Sequence, residues 1–368
     1  MKTFDNLIED VQKPGLCHQC GGCVSFCAGA SYGALEMGPD GAPRYKDPSK
    51  CIECGLCYLV CPEVNELVGE TRARLGWSEP IGPVEQVFMA RAMDPLVREL
   101  ATDGGVVTAL LLHLLDTRRI DGAMVSRQTG PFKREPYLAR TRKNLLLAAG
   151  SAYTAPQGGK PAEDSYSTYV SSASSIPEIK ARGLSRVAMV GSPDQVMALR
   201  KMETMHIPPS DSVRCYLGLF CSGNFQFDAD SRARLEQVGG FQWSDVERVN
   251  LKESLQIRLV GGRGVDLPLE DVEFLARPAC RFCLDYSAEL ADISFGGVGA
   301  PEGWTTVIIR TEKGRRMYSE ARGAVLEEME PAKMTPLRAT ALELIKHSSL
   351  AKRRNGLEHR KKLEALSA

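Results

Sequence analysis

Eight cysteines near the amino end constrain this chain more than any other feature of it. Cys17, Cys20, Cys23 and Cys27 form C-x₂-C-x₂-C-x₃-C, and Cys51, Cys54, Cys57 and Cys61 repeat the pattern 34 positions later. Thiolates at this spacing suit iron and sulfide, because three near neighbours can converge on one 4Fe-4S cube while the fourth reaches a second. The repeat therefore predicts two clusters with exchanged fourth ligands. Cys17, Cys20, Cys23 and Cys61 hold one, and Cys51, Cys54, Cys57 and Cys27 hold the other. Gly21, Gly22 and Gly55 permit the tight path between ligands. Ala34-Leu35-Glu36-Met37 and Pro43-Arg44-Tyr45 flank Pro39-Asp40-Gly41, which reads as a hairpin. Paired structural zinc is the rival reading. Four-cysteine runs, the second closed by Pro62, argue against it; Cys27 is followed by Ala28 instead of proline.

At 368 residues with 43% apolar content, the chain has room for a second, larger domain with its own core. Equal numbers of acidic and basic residues, 46 of each, leave no bulk field for nucleic acid or an acidic membrane. No signal-peptide pattern and no apolar run of about eighteen residues occurs. Membrane insertion is not expected, whereas peripheral attachment to a membrane complex is compatible with the sequence. Twelve cysteines in motif clusters fit metal ligation in a reducing, cytoplasmic setting better than a disulfide framework.

Residues 65–77 read as a short linking helix, and Ser78-Glu79-Pro80-Ile81-Gly82-Pro83 breaks it. Three parts are expected, at 1–77, 84–335 and 336–368. Strand patterns at 120–125, 186–190, 213–220, 255–260, 291–295 and 305–309, alternating with helical ones, make the middle part α/β. Val260-Gly261-Gly262-Arg263-Gly264 reads as a hairpin turn. Residues 165–175, rich in serine and tyrosine, read as a solvated surface connection. The final segment reads as a long basic helix broken at Asn355-Gly356. Its clusters Lys352-Arg353-Arg354 and Arg360-Lys361-Lys362 suit a solvated face, or docking to an acidic partner or an anionic coenzyme tail.

Three further motifs carry chemistry. Asp103-Gly104-Gly105-Val106-Val107-Thr108 joins a glycine turn to an apolar helix, whose free amides could receive phosphate, although a structural turn explains the pattern as well. Pro278-Ala279-Cys280-Arg281-Phe282-Cys283 offers two thiolates, and Cys221 a third. Cys215 lies roughly 20 Å from Cys221 along a continuous strand and reads as a core residue. Met189-Val190-Gly191-Ser192-Pro193-Asp194-Gln195 reads as a strand, a turn and a helix start, where Asp194 could serve as a cap. His18, between two ligands, could tune a cluster's potential through a hydrogen bond, but reads first as a solvent-exposed loop residue.

The order of these motifs resembles the family of coenzyme F420 hydrogenase/dehydrogenase beta subunits, with the paired ferredoxin runs of an F420H2 dehydrogenase electron-input subunit. Carrying the resemblance are the DGGVVTALL run at 103–111, Gly218-Leu219-Phe220-Cys221, the 278–283 motif, Leu284-Asp285-Tyr286, Ala291-Asp292-Ile293-Ser294-Phe295-Gly296 and Gly303-Trp304-Thr305-Thr306. It implies an α/β flavin-binding domain behind a small bacterial-type ferredoxin domain. Asp103, Gly104, Gly105, Val106 and Thr108 would line an FAD. Cys221, Cys280 and Cys283 would hold a third 4Fe-4S cluster. The resemblance implies GTPCQ where this chain reads Gly191-Ser192-Pro193-Asp194-Gln195; either the Asp194 carboxylate takes the fourth iron or the iron is open or otherwise capped. The implied activity is a flavin-dependent oxidoreductase subunit, moving electrons between coenzyme F420, a small hydride carrier, and other redox subunits of a complex. No catalytic triad is expected. Reduction of another substrate, or electron transfer without F420, is the alternative.

Overall fold

A computed structural model describes residues 1–130, 133–150, 153–154, 166–167, 170–251 and 254–367. The two cysteine runs fold as near copies. Each passes through a left-handed glycine, Gly21 at φ 72° and Gly55 at φ 69°, directly before its short helix, Gly22–Gly29 or Leu56–Leu59. A side chain at either position would strain the loop. Gly22 has a different role: a Cβ there would stand 2.9 Å from the Ala198 side chain, so its smallness serves packing. The expected hairpin is present, with Leu35–Met37 antiparallel to Pro43–Tyr45. Residues 68–74 form the linking helix.

Beyond residue 84 the chain builds an eight-stranded sheet. Across it the order is Leu326–Glu328, Gln86–Ala92, Thr305–Ile309, Ile293–Gly296, Val213–Leu219, Val187–Gly191, Gly122–Gly130 and Lys133–Ala139. The four strands from 293–296 to 122–130 are mutually parallel, and antiparallel strands complete both edges. A smaller antiparallel sheet contains Val246–Leu251, Ser254–Leu259 and Gly264–Pro268, with the expected turn at 260–264 between its last two strands. Alternation in the strand 213–219 splits its side chains between two cores. Cys215 and Leu217 pack with the helix Val106–Asp116, while Tyr216 points to the opposite layer. Cys215 is thus the buried residue its position suggested.

That opposite layer joins the amino-terminal segment to the main sheet. Phe4, Phe26 and Val60 share one apolar cluster with Met124, Ile176, Leu199 and Met202. Polar ties reinforce it: Lys201 Nζ donates to the carbonyls of Cys61 at 2.7 Å and Val64 at 2.5 Å, and Ser171 Oγ donates to Cys20 O.

Two sequence expectations fail here. Of the segment 165–175, residues 165 and 168–169 lie outside the described residues; Ser172–Ser175 forms a buried 3₁₀ turn instead of a solvated connection. Ala173 and Ile176 supply the apolar contacts that the serine-rich composition obscured. The carboxy-terminal helix runs from Pro331 to Ser367 through Asn355-Gly356 without a break. Gly356 is buried against the 282–284 loop, so it marks a helix contact. No described helix is long and apolar enough to cross a membrane.

Candidate redox site

The carboxyl ends of the parallel strands surround a cavity of about 340 Å³. Ligands of open α/β sheets characteristically bind at this edge. Val190-Gly191-Ser192, Leu219-Phe220-Cys221 and Phe295-Gly296-Gly297 supply one side of the wall, and the turn 101–108 supplies another. Asp103, Gly105, Val106 and Thr108 all reach the cavity. Gly104 does not. Its amide donates to Thr305 Oγ1 at 3.0 Å, and a Cβ would lie 2.7 Å from Ala90 O, so close backbone approach explains this glycine.

Ser126, Arg134, Asn224 and Asn250, which carry no readable motif, complete the wall together with Gln195 from the 189–195 motif. Gln195 is informative because its orientation is fixed. Its Nε2 donates to Val170 O at 2.9 Å and Ser192 Oγ at 3.0 Å, leaving Oε1 buried with no hydrogen-bond partner among the described residues. A buried acceptor left in this state is costly, and a ligand N–H would satisfy it.

Cys221 belongs to this wall and also to a thiol cluster behind it. Asn224 touches both parts of the cluster: its amide N–H donates to Cys280 Sγ at 3.3 Å, and its side-chain Nδ2 donates to Cys221 Sγ at 3.5 Å. Cys283 stands near enough to influence Cys221. Burial pushes the Cys221 and Cys283 thiols up to about 12 and about 11, and raises Cys280 as well. As thiolates, these groups require a compensating cation or metal.

Asp194 lies at the start of the helix Pro193–Thr204, buried, and accepts from Ser192 Oγ at 2.6 Å. Its charge raises the pKa of Cys17 and Cys20 and equally of Cys221, Cys280 and Cys283. The carboxylate is therefore within electrostatic reach of both the amino-terminal thiols and the second group.

The eight amino-terminal thiols divide into two neighbourhoods. Cys20, Cys17 and Cys61, and after them Cys57, are the thiols whose charge acts on Cys23. Cys51, Cys54, Cys57 and Cys27 line a separate small cavity. Burial pushes Cys57 and Cys61 up to about 12 and raises Cys20 and Cys23 well above the ordinary thiol range. Among the described residues, no three His, Cys, Asp or Glu side chains converge to hold a single metal ion. Four thiolates around a cube stand further apart than four around one ion, since the cube lies between them.

His18 is not the exposed loop residue its neighbours suggested. It is buried, with Nε2 2.7 Å from Glu63 Oε1, and Glu63 also accepts from Arg360 at 2.6 Å. Burial disfavours the imidazolium, but the Glu63 carboxylate outweighs that effect and leaves the His18 pKa raised. The basic residues of the last helix are likewise committed internally. Lys352 Nζ donates to Cys221 O at 2.6 Å, Arg353 pairs with Glu289 at 2.9 Å, and Arg360 donates to Phe282 O. Only Arg354, Lys361 and Lys362 of the two clusters face solvent.

Comparisons with known proteins agree with this layout. Residues 9–62 match a 4Fe-4S dicluster domain; residues 87–159 and 184–334 match the N-terminal and C-terminal models of the coenzyme F420 hydrogenase/dehydrogenase beta subunit. The coenzyme F420 hydrogenase beta subunit of Methanococcus voltae is 32% identical over 279 residues, covering 74% of this chain and 93% of that protein. One of the subunits of the F420H2 dehydrogenase of Methanosarcina mazei is 25% identical over 365 residues, covering 96% and 93% respectively. A chain in the F420-reducing [NiFe] hydrogenase complex of Methanosarcina barkeri superposes with a TM-score of 0.65 at 26% identity, over 78% of this chain and 94% of that one. With almost the whole of the Methanococcus protein spanned and the iron-sulfur segment matched ahead of it, the chain belongs, as an oxidoreductase subunit, to the family of coenzyme F420 hydrogenase/dehydrogenase beta subunits.

Proposed function

We propose that this chain is a flavin- and iron-sulfur-containing subunit that passes electrons between coenzyme F420 and a partner redox protein. The observation carrying the proposal is the double position of Cys221, in the cavity wall and in the thiol cluster behind it. In this reading the cavity takes FAD, held by the 103–108 turn and Gln195, whose Oε1 accepts a ring N–H. Flavin is the cofactor suited to the junction, since it exchanges hydride as a pair and single electrons with iron-sulfur centres. Apolar Val106, Leu219 and Phe295 line the chamber, and the missing side chains of Gly296 and Gly297 let the Phe220 ring and the Asp103 carboxylate pack close beside it.

Cys221, Cys280, Cys283 and Asp194 are assigned to a third 4Fe-4S cluster. Asn224 would orient Cys221 and Cys280 through its two N–H donors. Cys17, Cys20, Cys23 and Cys61 are assigned to the next cluster along, because the Asp194 charge acts on Cys17 and Cys20 too. Cys51, Cys54, Cys57 and Cys27 are assigned to the outermost. Ile52, 60% exposed beside that last set, suits the face that meets other redox subunits. Thiolate ligands at all these sites suit a reducing cytoplasm.

Anaerobic mixing of the cofactor-replete protein with reduced coenzyme F420 tests the assignment. Flavin bleaching followed by cluster reduction is expected. If dithionite reduces both kinds of centre but F420H2 reduces neither, the F420 assignment is wrong and a different donor feeds the same chain of centres.

A further inference from the structure

The carboxy-terminal helix brings one ammonium group to the third thiol cluster, and its surroundings give that charge a specific task. Lys352 Nζ donates to the Cys221 carbonyl at 2.6 Å. The backbone around Cys283 fixes the helix in this position: Gly356 packs against Cys283 O and Leu284, and Arg360 donates to Phe282 O at 2.9 Å. A Cβ at position 356 would approach Cys283 O to 3.0 Å, so the helix cannot shift far without disturbing the loop. Other charges acting on the thiols are Asp194 on all three, Asp285 on Cys283 and Arg277 on Cys280. Lys352 is the cation that acts on all three.

We infer that Lys352 is a positioning residue that raises the reduction potential of the third cluster, through its charge beside Cys221, Cys280 and Cys283 and its hydrogen bond to the Cys221 carbonyl. The inference rests on the three-cluster reading above. Reduction adds one negative charge to a centre already surrounded by thiolates, Asp194 and Asp285. A fixed cation stabilises the reduced form more than the oxidised one, and partial burial protects that attraction from solvent screening. Asp194 exerts the opposite effect, so the pair sets the balance point. Arg353, one position along, is engaged with Glu289 and cannot substitute for the lost charge.

The test is an anaerobic EPR-monitored redox titration of the full-length holoprotein with Lys352→Gln and Lys352→Arg variants, alongside iron and sulfide analysis. In Lys352→Gln the third cluster should persist, with its oxidised-to-reduced ratio at fixed potential displaced at least tenfold toward oxidised, about 59 mV for a one-electron couple. Lys352→Arg should stay near the parent value, and the two amino-terminal clusters should not move in either variant. An unshifted third cluster in Lys352→Gln overturns the inference. So does its loss from Lys352→Gln alone, which would make the lysine a structural clamp. Two clusters in the unaltered protein would instead overturn the three-cluster reading beneath it.

Discussion

A carboxylate almost out of reach of water joins three parts of the main domain at Asp292. Its Oδ2 accepts from the Tyr216 amide at 2.9 Å, while Oδ1 accepts from Thr311 Oγ1 at 2.8 Å and pairs with Arg200 at 3.0 Å. Arg200 in turn donates to Leu290 O and lies 3.9 Å over the Tyr216 ring. Burial would raise the Asp292 pKa, but Arg200, Lys313 and the two hydrogen bonds outweigh it and hold the carboxyl below its usual range. Asp292→Ala leaves Arg200 buried without this counter-charge and should cost about 3–5 kcal/mol in chemical denaturation. Because the folded-state pKa is depressed, the stabilisation is full above the unfolded value of about 3.9 and fades only as pH falls through the lower folded value. The gap between parent and variant should therefore be constant from about pH 8 to pH 5; a gap that closes over that window would exclude an ionised Asp292. At Asp194, replacement by Ala removes the oxygen donor assigned to the third cluster. The oxidised protein should then show a three-iron EPR signal absent from the parent, whereas Asp194→Cys should retain four irons. Identical spectra for parent and Asp194→Ala would exclude this ligand.

At the level of elements, the last helix shows how far local patterning reaches. Gly356 inside a basic stretch looked like a break, yet the helix continues and uses the missing side chain for close contact. Gly356→Leu would place a Cβ 2.7 Å from Leu284 Cδ2 and 3.2 Å from Phe282 O. Overpacking of this kind costs about 1–3 kcal/mol and should displace the Cys280–Cys283 loop. The variant should lose the third cluster and keep the amino-terminal pair, as read by iron content and EPR; a full iron complement would show that the loop tolerates the shift. The strand patterns at 187–191, 213–219, 293–296 and 305–309 were legible because they are short apolar runs in the sheet centre. Lys133–Ala139 and Leu326–Glu328 were not, since edge strands carry charges and Pro136 as readily as apolar residues. The cysteine motifs stood out because ligation demands one residue type at fixed spacing. Asn224 had no such signature, and Gln195 and Lys352, though inside patterns read as a helix start and a basic cluster, showed no sign of their partners Val170 O and Cys221 O, which come from distant segments.

On the scale of the whole molecule, the burial that stabilises the assembly also orders its centres. The amino-terminal segment is packed on the main sheet by a continuous apolar cluster and by Lys201, whose two bonds hold the Cys61–Val64 turn in place. This holds Cys17 and Cys20 within reach of the Asp194 charge, which also acts on Cys221, and leaves Cys51 and Cys54 half-buried where Cys20 and Cys23 are buried. On the proposed route, electrons leaving the cavity meet the Cys221 group first, since among the described residues the cavity wall contains none of the eight amino-terminal thiols. Cys221→Ser removes a thiolate from the first station without touching the turn at 103–108. On anaerobic mixing with reduced coenzyme F420, flavin bleaching should stay within about twofold of the parent rate, since one wall atom changes and the remaining chamber does not. Reduction of the amino-terminal clusters should slow at least tenfold, a loss of more than about 1.4 kcal/mol in barrier terms. Dithionite should still reduce those clusters directly, separating a broken route from a damaged acceptor. If the amino-terminal clusters of Cys221→Ser fill at the parent rate, electrons leave the cavity by another wall, and the thiols of Cys280 and Cys283 serve a purpose other than relay.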